Sequence, residues 1–167
     1  KLKEIIIILT GAYGGIGSET ARLLLDAGAR VVLVGRNNKK MNDLIEELPL
    51  TDNNIIAVVA DVSLESDRQK IIDKALSAFG NIDVLINLAG SMSFNEFSQE
   101  DTETTDRLFQ VNVLAPMHLT KMVIPHMVER GSGQIVNIGS IFGSISFAWF
   151  ATYSSTKFAL RGFSEAL

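Results

Sequence analysis

Residues 10–17 read "TGAYGGIG". Glycine stands at 11, 14, 15 and 17, more often than a plain turn requires. An apolar run, "IIIIL" at 5–9, precedes the loop, and an amphipathic stretch over 17–28 follows it. The spacing predicts strand, glycine loop, helix. Glycine permits a tight turn and lets the backbone approach a ligand closely. The helix behind it offers unpaired N–H groups and the positive end of its dipole, a seat for a pyrophosphate. The loop therefore reads as a nucleotide site.

The same alternation continues along the chain. "RVVLVGR" at 30–36, "NIIAVVAD" at 54–61, "DVLINLAG" at 83–90 and "GQIVNIGS" at 133–140 read as strands. Helical patterns fill 39–48, stopped by Pro49, then 64–79, closed by Gly80, and a long stretch over 100–130, in pieces around Pro116 and Pro125. A last helix begins near Thr152. The strands are apolar throughout, as they must be when helices cover both faces of a parallel sheet. The pattern predicts a single α/β domain over 1–167, a doubly wound parallel sheet with strand order 3-2-1-4-5.

Composition narrows the function. The chain has 167 residues, 47% hydrophobic and 20% charged, with net charge −4. There is no basic footprint for nucleic acid. The absence of cysteine excludes disulfides and thiolate metal sites and suits a reducing, cytoplasmic setting. No apolar run is long enough to span a bilayer, so no membrane partner is expected. His118 and His126 lack a carboxylate at metal spacing and read as surface or packing residues. "NEFSQEDTETTDR" at 95–107 reads as a solvated helix start, and no Gly-x-Ser-x-Gly elbow is present.

The glycine spacing is Gly-x-x-x-Gly-x-Gly, and it resembles the opening motif of the short-chain dehydrogenase/reductase family. Thr10, Gly11, Gly15, Ile16 and Gly17 match it position by position, with Tyr13 inside the loop. The resemblance implies a Rossmann-type sheet that binds a nicotinamide dinucleotide. Asp61 and Val62 resemble the pair that meets the adenine edge, although on the residues alone Asp61 or Ser63 reads as a cap of the next helix. "NLAG" at 87–90 is similar to the family's NNAG, with Leu88 replacing the second asparagine, so only Asn87, Ala89 and Gly90 carry over. A carboxylate at the end of the second strand would accept from the 2′-hydroxyl of NAD. This chain has Gly35-Arg36 there, with Lys39 and Lys40 nearby, and Arg36 can pair a phosphate. NADP is therefore expected over NAD, although Gly14 stands where many NADP-using relatives carry a basic residue.

"YSSTK" at 153–157 puts Tyr153 and Lys157 on one helical face. An ammonium beside a phenol favours phenolate, which suits proton exchange with an alcohol or ketone. Alone the pair is a weak signal. Ser140, at the carboxyl end of the fifth strand, precedes Tyr153 by 13 residues, and Asn112 lies in "VNVLAP" on the long helix. These four residues match the family's catalytic set. The resemblance assigns Tyr153 the proton, Ser140 the orientation of the substrate oxygen and Lys157 the nicotinamide ribose. It gives Asn112 a water in a relay to lysine.

The reading is a hydride-transferring oxidoreductase acting on a carbonyl or alcohol. The same motifs would serve a nucleotide-binding regulator or a catalytically incompetent fragment. "IFGSISFAWF" at 141–150 suggests an apolar carbonyl compound. Relatives pair through the long helix and the Tyr-Lys helix, and Phe158, Leu160, Phe163 and Leu167 exceed one buried stripe, so a homo-oligomer, dimer or tetramer, is expected. The chain opens at Lys1 without methionine and stops at Leu167 within an apparent helix, so both ends are expected to be cut and the family's further C-terminal strands to be absent. The fifth strand would then be a bare edge over 134–139, either covered by other chain or leaving 141–151 and the last helix poorly supported.

Overall fold

The computed structural model describes residues 2–49 and 54–167. Five parallel strands, β1 (Ile6–Thr10), β2 (Arg30–Gly35), β3 (Ile55–Val59), β4 (Val84–Asn87) and β5 (Gln134–Asn137), form one sheet in the order β3-β2-β1-β4-β5. This is the doubly wound sheet and order expected. Six helices connect and follow them: α1 (Gly15–Asp26), α2 (Asn38–Glu47), α3 (Glu65–Phe79), α4 (Thr102–Phe109), α5 (Ala115–Arg130) and α6 (Ala151–Ala166).

The side-chain alternation of β1 builds two cores. Ile7 and Leu9 face α1 and α2, where they join Ala21, Leu25, Met41 and Leu44. Ile8 faces the other side with Val32 and Val34, against Ile71, Ile72, Leu119 and Val123 of α3 and α5. Every residue of β1 is buried, the consequence of helices on both faces. Capping follows local chemistry. The Asn37 side chain accepts from Lys40 N–H at 3.0 Å to start α2, and Asp101 accepts from Thr104 N–H at 2.6 Å to start α4.

The long 100–130 stretch is in pieces around Pro116, as expected, but not around Pro125. A π-turn over Gln110–Leu114 separates α4 from α5 just ahead of Pro116, which has no N–H to return to the preceding turn. Pro125 lies inside α5. The carbonyl it deprives belongs to Lys121, which is exposed. "LAG" at 88–90 is loop rather than strand, and β5 ends at Asn137.

β5 is an edge strand, with Gln134 exposed and the next three residues half-buried. Of the two outcomes expected for such an edge, poor support of 141–151 is not what the structure shows. Phe142 packs on Phe150 at 4.6 Å, on Phe147 at 5.2 Å and on Tyr153 at 5.7 Å between ring centroids. Its own aromatic residues hold the segment against α6.

Candidate active site

The order reverses at β1, which lies between β2 and β4, and the crevice of such a sheet opens outside the carboxyl ends of those strands. The ends are fastened by Thr10. Its Oγ1 accepts from Leu88 and Ala89 N–H, each at 3.0 Å, and donates to the Ile86 carbonyl at 3.3 Å. Thr10 is buried, so it braces the crevice instead of lining it. Gly11, with φ 71°, runs so close to the β4 loop that a Cβ there would lie 2.9 Å from Ala89 Cα. These contacts hold open a cleft of about 350 Å³, lined by Gly11 and the rest of the glycine loop, by 34–36, 60–62 and 88–91, and by Val111. Gly15 has nothing within 4 Å of where a Cβ would stand, and Ile16 is largely exposed. The first turn of α1 therefore faces open space, a cradle that side chains would fill.

Of the sequence-expected cofactor residues, Gly11, Tyr13, Gly15, Ile16, Gly17, Arg36, Asp61, Val62, Ala89 and Gly90 line this cleft. Asn87 does not. It is buried, and its Nδ2 donates to Asn137 Oδ1 at 2.8 Å and to Thr120 Oγ1 at 3.4 Å, tying β4 to β5 and α5. Asp61 lines the cleft and also shapes the turn before α3. Its Oδ1 accepts from Ser63 N–H at 2.9 Å and Ser63 O–H at 2.7 Å, an Asx turn before α3. Its Oδ2 lies 3.6 Å from Arg36 Nη1. Partial burial pushes the Asp61 carboxyl up, but the Ser63 donors and Arg36 outweigh it and hold it below the usual range.

Beyond the cleft stand the four residues of the expected catalytic set. Lys157 is buried, its Nζ donates to the Ile138 carbonyl at 2.9 Å, and it lies 5.8 Å from the Tyr153 ring centroid. Burial lowers the Lys157 ammonium below the usual lysine range. Ser140 Oγ accepts from Phe142 N–H at 3.2 Å and so caps the short turn Ile141–Gly143, leaving its own proton to donate elsewhere. That turn lies directly on α6, where a Cβ on Gly143 would stand 2.8 Å from the Lys157 carbonyl oxygen. Asn112 joins the cleft to α6. Its Oδ1 accepts from Ser91 N–H at 2.8 Å, and its Nδ2 donates to the Ser91 carbonyl at 2.7 Å and to Thr156 Oγ1 at 3.0 Å. Both Nδ2 protons are thereby committed, and Oδ1 keeps one lone pair. Pro116, which has no N–H, leaves the Asn112 main-chain carbonyl without its α-helical donor.

Two ties were not legible in the sequence. The Glu100 carboxylate accepts from Thr105 Oγ1 at 3.0 Å and closely from Thr152 Oγ1, fixing the start of α6 next to Tyr153. Partial burial pushes the Glu100 carboxyl up, but donors from Ser93, Thr152 and Thr105 hold it below the usual range. Asn95 N–H donates to the Trp149 carbonyl at 2.9 Å, and the Phe94 and Trp149 rings stack at 5.5 Å, zipping two loops together beside the site. Among the described residues no group of three or more metal-ligating side chains occurs, His118 is exposed and His126 half-buried, and no helix is long and apolar enough to cross a membrane.

The family model for short chain dehydrogenases matches residues 5–167. This chain belongs to the short-chain dehydrogenase/reductase family. An uncharacterized oxidoreductase of Bacillus subtilis, YxnA, is 37% identical over all of this chain, which spans 47% of that protein's length. A short-chain dehydrogenase from Streptomyces avermitilis superposes with TM-score 0.91 at 34% identity, over 98% of this chain and 59% of its own. A 3-ketoacyl-(acyl-carrier-protein) reductase from Brucella melitensis, solved as a complex with NADH, superposes with TM-score 0.93 at 30% identity, over all of this chain and 69% of its own. The family membership accounts for the sheet order and for the position of the glycine cleft at the β1–β4 switch.

Proposed function

We propose that the protein is an oxidoreductase that passes a hydride between NADP(H) and a carbonyl or alcohol substrate. The observation that carries this reading is the Asn112 bridge, which couples the glycine cleft at Ser91 to the Tyr153-Lys157 helix at Thr156. Nucleotide seat and proton donor are thereby built as one unit. The α1 N-terminus and Gly15 would receive the pyrophosphate, Asp61 and Val62 the adenine, and Ala89, Gly90 and Lys157 the nicotinamide end. The nicotinamide supplies or accepts the hydride, and the protein supplies orientation and charge. Ser140 donates to the substrate oxygen. Tyr153 gives that oxygen a proton in reduction and takes it back in oxidation. Lys157 places a positive charge beside the phenol.

The substrate side is apolar. Phe142 and Phe150 pack on Tyr153, Phe147 and Phe94 pack on those two, and Trp149 stacks on Phe94; Phe94, Phe147 and Trp149 remain about half exposed or more. Such a wall fits a bulky apolar carbonyl compound.

NADP preference rests on Arg36 and the missing carboxylate beside it. The Arg36 side chain is 61% exposed, so its contact with Asp61 is weak and it is free to turn to a phosphate. Arg36→Asp is expected to weaken NADPH binding by about tenfold or more while NADH binding changes little. Calorimetry with both cofactors checks it, and tighter NADH than NADPH binding by the unmutated protein would sink the claim.

Assembly as a homo-oligomer is proposed from α6. Phe158 is 43% and Leu167 59% exposed, whereas Leu160 is buried within the chain and drops out of the expected interface. Light scattering of the full-length protein at high concentration should show a dimer or tetramer; a monomer would refute it.

A further inference from the structure

Tyr13 belongs to the loop between β1 and α1, yet its side chain crosses to the end of β2. Its hydroxyl oxygen accepts from Arg36 N–H at 3.1 Å and from Asn37 N–H at 3.2 Å. Its ring lies against Gly35, where a Cβ would stand 2.2 Å from Tyr13 Cε1 and 2.7 Å from Cδ1. Lys40 Nζ is 5.9 Å from the ring centroid. Tyr13, Gly35 and Arg36 all line the cleft.

A phenol oxygen has two lone pairs and one proton. Here the two main-chain donors take the lone pairs. The proton is left over and must point away from both amides. Accepting two hydrogen bonds polarises the O–H and makes it a stronger donor. Lys40 adds positive charge near the ring, and the exposed Arg36 side chain lines the same cleft. The ring also fills the space that a side chain at 35 would need, so this chain cannot place a carboxylate there while Tyr13 keeps its position. A spare polarised donor with Lys40 near its ring and Arg36 lining the same cleft, and with the competing carboxylate sterically excluded, suits an anionic acceptor.

We propose that Tyr13 is a specificity-determining residue that recognises a phosphate on the adenosine ribose, its hydroxyl donating to that phosphate while Arg36 and Lys40 neutralise it. This rests on the dinucleotide reading above. It gives Gly35 a reason to be glycine: any larger residue dislodges the ring and with it the donor.

The test compares adenosine 2′,5′-bisphosphate with adenosine 5′-monophosphate, which differ only by the 2′-phosphate, by calorimetry on the unmutated chain, Tyr13→Phe and Gly35→Ala. The unmutated chain should bind the bisphosphate more tightly. Tyr13→Phe should reduce that preference by about tenfold, the size of one hydrogen bond to a charged group, with monophosphate affinity held within about twofold. Gly35→Ala keeps the hydroxyl but displaces it and should lose preference in the same direction. Thermal melting of each variant shows that it is folded, and the preference is read as the ratio of the two affinities. If the unmutated chain shows no preference, the NADP reading fails and this inference with it. If the preference is present but survives Tyr13→Phe unchanged, only the role given to Tyr13 is wrong. If Tyr13→Phe binds the bisphosphate more tightly, the ring is an obstruction and the proposal is overturned.

Discussion

Tyr153→Phe should lower turnover by about 10²–10⁴-fold, the range over which a positioned general acid contributes, while cofactor affinity stays within about twofold. The substitution removes one hydroxyl and leaves the packing. The Tyr153 ring meets Phe142 edge-on at 5.7 Å and Phe150 at 6.4 Å, and phenylalanine preserves both contacts. Lys157 keeps its bond to the Ile138 carbonyl, because that bond does not involve the phenol. The loss should therefore fall on kcat. Lys157→Ala should differ in kind. It removes the charge beside the phenol and the proposed ribose contact together, so cofactor affinity should fall as well as turnover. Steady-state rates with a panel of apolar carbonyl compounds, alongside fluorescence titration of the reduced cofactor, separate the two. A Tyr153→Phe full-length protein that still reduces a carbonyl near the normal rate would remove Tyr153 from the mechanism.

The readable part of this chain was the part written in local pattern. Strands buried on both faces have to be apolar throughout, so β1 and β2 stood out, and helices ending at Gly28, Gly80 and Pro49 were bounded by their own breakers. What escaped depended on partners distant in sequence. Thr10 matches a motif, but its work is to hold residues 88 and 89, and no local spacing reveals a partner 78 positions away. Glu100 looked like one more charge in a solvated helix start, and Asp101 next to it does cap α4. Glu100 instead turns to Thr152, 52 residues on. Tyr13 was legible only as a member of the loop, since its contacts lie on the neighbouring strand. Of the two prolines, Pro116 does mark the break at the π-turn just ahead of it, whereas Pro125 stays inside α5 because the carbonyl it deprives is exposed.

Gly17→Ala should destabilise the fold by about 3 kcal/mol, at the upper end of ordinary overpacking, and lower Tm by roughly 6–12 °C. Helix propensity alone argues the opposite, since alanine is favoured over glycine inside a helix by about 1 kcal/mol. Space decides against it. A Cβ on Gly17 would lie 2.1 Å from the Gly11 carbonyl oxygen and 2.8 Å from that of Ala12. Both are main-chain atoms and cannot swing aside. Ala12 N–H is bonded to the Val34 carbonyl at 3.1 Å, and Gly11 is pressed against Ala89, so the loop cannot recede without loosening β1 from both neighbours. Gly15→Ala is the matching control. Nothing stands within 4 Å of its Cβ position, so stability should change by no more than about 0.5 kcal/mol. The methyl would nevertheless enter the open cradle at the start of α1 and should weaken nucleotide binding. Thermal melting of the two variants therefore separates a glycine needed for packing from one needed for ligand approach. A Gly17→Ala protein melting within about 1 °C of the unmutated chain would mean that the loop is more yielding than its contacts imply.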